Sequence, residues 1–154
     1  MTNNAEPNFA DAAGPPARKI GVVGVISRNE KLLVIQRSRF VRSPGKFCFP
    51  GGAMEQGETE EQTLVRELQE ELGVSVSPLR FLHRSVTPWS VDLRWWQAEL
   101  SEAEQVLPNP SEVAAWQWMS VAEILSQHEL LESNRIFLAA WKKALFEITG
   151  LQRD

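Results

Sequence analysis

Tyrosine is absent from this 154-residue chain, and cysteine occurs once, at Cys48. A lone cysteine excludes an intrachain disulfide and fits a reducing compartment. Set between Phe47 and Phe49, it reads as a buried, inert thiol rather than a nucleophile. No apolar run approaches the roughly 18 residues that a membrane-spanning helix requires. No apolar core of the signal-peptide kind precedes Arg18. A cytoplasmic protein is expected. A basic excess is missing too: the net charge is −4, so no positive field grips a polyanionic backbone. Long nucleic acid and membrane are therefore not expected partners. Repeats and linkers are also lacking, and the length suits one domain.

What the chain does have is glutamate, gathered in GGAMEQGETEEQTLVRELQEELGV at 51–74. Glu60, Glu61, Glu67, Glu70 and Glu71 fall within one short helical stretch. Such acid repels itself unless positive charge sits among it. On a wheel at about 100° per residue, Leu64, Leu68, Leu72 and Val65 form the stripe expected to face the core. Glu67, Glu70 and Glu71 form an adjoining patch of i, i+3 and i+4 neighbours. Hard carboxylate oxygens converging in this way suit Mg²⁺ or Mn²⁺, which also bind phosphate oxygens. A solvated acidic helix face is the alternative on the periodicity alone. Arg66 lies where it can pair with Glu58 or Glu70.

Around this stretch the elements follow in order. Residues 1–17, MTNNAEPNFADAAGPPA, predict a flexible arm, with one domain over 18–150. KIGVVGVIS and KLLVIQR, separated by a polar turn at 28–30, predict a hairpin. SRFVRSPGK at 38–46 is a basic loop. Gly73 is the expected αL stop of the acidic helix. LRFLHRSV, VDLRWWQAEL and VAAWQWM are further strands, and neighbouring Trp95 and Trp96 should face opposite ways. Ser120 with Glu123 predicts a capping box. Ser133 is the expected cap of a last helix whose apolar positions run Phe137, Trp141, Ala144, Leu145 and Ile148. Strands and helices in this order predict a sheet sandwiched between helices.

Gly52, five residues, Glu58, seven residues, then Arg66–Val74 (RELQEELGV) resembles the complete Nudix box, G-x5-E-x7-R-E-U-x-E-E-x-G-U, with U a bulky aliphatic. The likeness extends over roughly 18–148. It implies an α/β fold of the α+β kind, an α/β/α sandwich with a mixed sheet. It also implies Mg²⁺-dependent hydrolysis, with Mn²⁺ as substitute, of a nucleoside diphosphate linked to another moiety. Carried over by position, Glu67, Glu70 and Glu71 are metal ligands with the Gly51 carbonyl, and Arg66 and Glu58 are an orienting pair. Glu112, ahead of the Trp118-Met119-Ser120 strand end, is the expected remote acid, as fourth ligand or general base; Glu102 and Glu104 compete with it. Arg37, Asn134 and Phe47 are the expected substrate contacts, with Trp89 and Trp118 as further stacking candidates.

The resemblance favours a MutT-like pyrophosphohydrolase that converts a nucleoside triphosphate to monophosphate and pyrophosphate. ADP-ribose or nucleotide-sugar hydrolysis and a silent nucleotide sensor are the alternatives. An isoprenoid diphosphate isomerase on the same fold lacks a cysteine setting here. Ala53 stands where some triphosphate-cleaving relatives carry a basic residue. Monomer and homodimer both remain open.

Overall fold

The computed structural model describes residues 18–153, so the arm expected at 1–17 lies outside the described residues. In chain order the elements are β1 (Lys19–Val25), β2 (Ser27–Arg28), β3 (Lys31–Arg37), β4 (Phe47–Cys48), β5 (Gly51–Ala53), α1 (Glu60–Leu72), β6 (Val76–Val86), β7 (Val91–Leu100), β8 (Val113–Met119), α2 (Val121–Leu125) and α3 (Glu132–Lys142).

Two sheets meet. The first has the order β5-β1-β7-β6, with β1 parallel to β7 and its other pairs antiparallel, which makes it mixed. The second is antiparallel, with β2, β4 and β8 all pairing with β3. One apolar cluster joins Leu64, Leu68 and Leu72 of α1 to Val22, Leu33 and Ile35. The other joins Phe137, Leu138 and Trp141 of α3 to Val25, Phe49 and Trp95. Each large aliphatic side chain so buried contributes about 1.5–3 kcal/mol. The helices thus cover opposite faces, giving the expected α/β/α sandwich. Trp95 packs towards α3 and Trp96 towards α1, as strand alternation requires. Among the described residues no helix is long and apolar enough to cross a membrane.

α1 starts and stops for local reasons. The Thr59 hydroxyl accepts from the Gln62 N–H at 3.1 Å, and the Gln62 side chain accepts from the Thr59 N–H at 2.9 Å. This capping box satisfies two otherwise orphan donors. Glu60 and Glu61 in the first turn complement the positive end of the helix dipole. Gly73 closes the helix at φ 65°, the left-handed conformation that glycine adopts without penalty.

Four expectations need correction. The early apolar runs do not form one hairpin: β1 belongs to the first sheet, and the turn joins only the short β2 to β3. The strand changes sheets around Ile26, which is buried at the join. Val65 does not face the core and is 38% exposed. The buried arc of α1 is instead turned towards Thr63 and Glu71. Ser133 does not cap α3, whose N-cap is Leu131 without a side-chain bond. That helix also ends at Lys142, with Ala144 at positive φ, so Leu145 and Ile148 lie beyond it.

Candidate active site

The glycine loop and α1 are built against each other. A Cβ added at Gly52 would lie 2.1 Å from Glu67 Oε1, so only glycine leaves room for that carboxylate. The Gly51 N–H donates to Glu71 Oε1 at 2.9 Å. Glu71 is buried, while Glu67 is partly so. Carboxylate oxygens of Glu67, Glu71 and Glu112 lie within 4.8 Å of one another. The sheet and helix therefore bring together two acids of the box and the remote acid expected from the later loop. Glu70 is turned aside: its Oε1 accepts from Arg66 Nη1 at 3.3 Å, and its side chain is half-exposed.

Arg66 organises the acids around it. Its Nε donates to Glu58 Oε2 at 2.6 Å and its Nη2 to Glu58 Oε1 at 3.0 Å, a bidentate pair. The same guanidinium donates to Glu67 Oε2 at 2.8 Å and to the Ala53 carbonyl at 3.0 Å. Glu58 also accepts from the Glu55 N–H and from the Thr63 hydroxyl, each at 2.9 Å. The loop between the glycines and α1 is thereby pinned to the helix that carries the acids.

Burial and charge set the proton affinities. Loss of hydration pushes the Glu71 carboxyl up to about 8, and the negative charges of Glu67 and Glu112 act in the same direction. Burial also raises Glu67, against the opposing pull of Arg66. The hydrogen bonds from Arg66 hold Glu58 down at about 2. Acids that resist ionising for want of positive charge, with hard oxygen donors converging, fit a divalent cation such as Mg²⁺ or Mn²⁺.

The loop bearing Glu112 is fastened on both sides. The Leu107 and Asn109 N–H groups donate to the Leu72 and Glu71 carbonyls, each at 2.8 Å. They satisfy carbonyls that the end of α1 leaves free. The Ser38 N–H donates to the Glu112 carbonyl at 3.0 Å, and the Ser38 hydroxyl to the Ser111 carbonyl at 2.7 Å. The competing Glu104 is occupied elsewhere, accepting from the Ser75 N–H at 2.9 Å. Glu102 is exposed. Neither belongs to the cluster.

The expected substrate contacts are more dispersed. Arg37 ends β3, donates through Nε to the Arg42 carbonyl at 2.6 Å, and its charge pulls against the rise at Glu71. Cys48 beside it is buried, and desolvation pushes its thiol up to about 11, as expected of an inert group. Asn134 is buried, with Oδ1 accepting from the Phe49 N–H at 2.8 Å and Nδ2 donating to the Ser133 hydroxyl at 3.2 Å. It therefore braces the segment leading into the glycine pair. Phe47 is half-buried and packs against the core on the α3 side. Trp118 lies under Arg28, whose guanidinium is 4.9 Å from the ring centroid. Trp89 is 83% exposed.

Four contributors were absent from the expectation. Thr59 and Gln62 have a readable signal, since T-x-x-Q opening a helical run is the capping-box pattern. Asn109 has a turn signal in Asn-Pro-Ser but none for its bond to the Glu71 carbonyl, and Ser38 has none, because its partners Ser111 and Glu112 are distant in sequence.

A helix of acids beside a glycine loop, clamped by an arginine within an α/β/α frame, forms a site suited to a divalent cation and the phosphate oxygens such a cation binds. The NUDIX domain family model matches residues 15–141. The 8-oxo-dGTP diphosphatase of Escherichia coli is 34% identical over 130 residues, covering 79% of this chain and 94% of that protein. The NAD-capped RNA hydrolase NudC of Pseudomonas aeruginosa is 31% identical over 107 residues, which are 69% of this chain and 37% of that protein. The crystal structure of a NUDIX hydrolase from Nitrosomonas europaea superposes with a TM-score of 0.72 at 21% identity, covering 88% of this chain and 75% of that one. The chain belongs to the Nudix hydrolase family and is a Nudix pyrophosphohydrolase.

Proposed function

We propose that the protein hydrolyses a (deoxy)nucleoside triphosphate to the monophosphate and pyrophosphate with Mg²⁺, Mn²⁺ serving as substitute. The observation that supports a metal-assisted reaction is the meeting of Glu67, Glu71 and Glu112 within 4.8 Å. The choice of a triphosphate is supported by the match to the E. coli 8-oxo-dGTP diphosphatase, which covers 94% of that protein. A small nucleotide is the partner, and neither long nucleic acid nor a membrane is involved. A cytoplasmic setting agrees with the free, buried Cys48.

Glu67, Glu71 and Glu112 would hold the cation, with Glu70 and the Gly51 carbonyl as further ligands. When bound, the metal neutralises pyrophosphate charge and lowers the pKa of a coordinated water. The residues of the chain do the rest. Arg66 and Glu58 keep the loop and helix in register, so that the carboxylates meet the substrate without rearranging. Glu112, placed by a separate loop, orients the attacking water and receives its proton on a carboxylate oxygen. Arg37 offers a positive group to the phosphates from the end of β3. Asn134 and Phe47 are the residues assigned to the base.

A panel of normal and 8-oxo dNTPs, ADP-ribose, NAD, dinucleoside polyphosphates and nucleotide sugars, each with Mg²⁺, tests this reading. Release of pyrophosphate with highest kcat/KM on a triphosphate is the expected result. Preference for ADP-ribose or a nucleotide sugar overturns the substrate assignment. Nucleotide binding without turnover overturns catalysis.

A further inference from the structure

We infer that Asn109 is a positioning residue, holding Glu112 in place against Glu67 and Glu71; this rests on the role proposed above for Glu112. Asn109 touches both sides of the acidic cluster. Its N–H donates to the Glu71 carbonyl at 2.8 Å, and its own carbonyl accepts from the Glu112 and Val113 N–H groups at 2.9 and 2.8 Å. Its side-chain Oδ1 accepts from the Ser111 N–H at 3.1 Å, an Asx turn that folds the chain back towards α1. Its Nδ2 reaches Glu112 Oε2 at 3.5 Å, the long end of hydrogen bonding.

The sequence around it is stiff. Pro108 and Pro110 flank Asn109; each fixes its own φ and confines the residue before it to extended backbone. Asn109 is therefore offered to Glu112 in a conformation already restricted in the unfolded chain. From the other side Ser38, itself buried, holds the Ser111 and Glu112 carbonyls. The backbone of Glu112 is thus clamped between β3 and the end of α1, and the amide of Asn109 is the group that addresses its carboxylate. An amide donor in this place limits the rotamers open to the carboxylate, as outer contacts to metal-ligating carboxylates do.

Asn109→Ser tests this. Serine keeps an acceptor for the Ser111 N–H while removing the donor to Glu112, and it adds no charge. The expected outcome is an unchanged thermal midpoint, with about a tenfold fall in kcat at nearly constant KM. Mn²⁺ affinity of the substrate-free protein, read by electron paramagnetic resonance, falls several-fold, as outer contacts to metal ligands lead one to expect. In a Glu112→Gln background the same change has no further effect on either quantity. Wild-type kcat and Mn²⁺ affinity in Asn109→Ser, or an equal loss in the Glu112→Gln background, overturns the inference. Should Glu112→Gln alone match the wild type in both measurements, it is the proposed role of Glu112 that has failed, and the inference falls with it.

Discussion

Arg66 and Glu58 form a bidentate pair, with Nε–Oε2 at 2.6 Å and Nη2–Oε1 at 3.0 Å, that ties the loop after the glycines to the helix carrying the acids. Glu58→Gln replaces a charged acceptor by an amide that satisfies the guanidinium only in part. The expected consequence is a roughly 10- to 100-fold loss of kcat from loosened geometry. Steady-state kinetics on the preferred substrate checks it, and unchanged kcat would show the pair to be structural only.

The two glycines predict opposite phenotypes. A Cβ at Gly51 would meet the Val22 carbonyl oxygen at 2.1 Å and Val23 Cα at 2.8 Å, backbone that cannot move aside. Gly51→Ala is expected to unfold readily on heating. A Cβ at Gly52 meets the mobile end of Glu67 instead. Gly52→Ala should therefore keep nearly the wild-type thermal midpoint while losing at least about tenfold in kcat, through a displaced carboxylate. Equal midpoints for the two variants would contradict this contrast.

The high proton affinity of Glu71 makes the metal-free fold sensitive to pH. Its folded pKa of about 8 stands above the ordinary 4.5, so between those values the folded protein keeps a proton that the unfolded chain has released. This contribution to stability is complete below about 4.5 and is lost as pH rises through about 8. Melting in the presence of a chelator should show a midpoint that falls between pH 5 and about 8.5. Added Mg²⁺ should raise the midpoint more at the alkaline end, where its ligand is ionised more readily. In Glu71→Gln that decline should flatten.

Asn134 separates bracing from base reading. Asn134→Ala leaves the Phe49 N–H buried without its acceptor, at a cost of about 1–3 kcal/mol in stability. Asn134→Asp keeps an acceptor for that N–H and changes the other end of the side chain. If Asn134 reads the base, Asn134→Asp alters the kcat/KM ratio between 8-oxo-dGTP and dGTP, a ratio that the lower stability expected of a buried carboxylate leaves unchanged. A constant ratio would leave Asn134 with its bracing role alone.

Much of the site could be read from the chain because it is local. Glu58, Arg66, Glu67 and Glu71 occupy one loop and one helix, and Gly73 marks where that helix stops. Glu112 was reachable through its place ahead of β8. The failures arise where distant segments decide. KIGVVGVIS is continuous in sequence, yet β1 pairs with Val91–Gln97 while Ser27–Arg28 turns to β3; no local signal announces that change of partner. Val65 was misplaced because a wheel treats the helix alone. The glycine loop and the Asn109 segment pull the buried arc towards Glu71. Helical spacing continues past Lys142 in sequence, but the chain there turns through Ala144 and folds back on β7, where the Thr149 N–H donates to Gln97 Oε1 at 3.0 Å.

The central claim is that acids from α1 and from the later loop act as one metal-binding catalytic centre. It is tested most directly by the kcat of Glu112→Gln beside that of Glu104→Gln, on the best substrate and at saturating Mg²⁺. Glu104, bound to the Ser75 N–H outside the cluster, should be replaceable with little loss. Replacing Glu112 should lower kcat by about 100-fold or more. Equal kcat values for the two variants would contradict the claim.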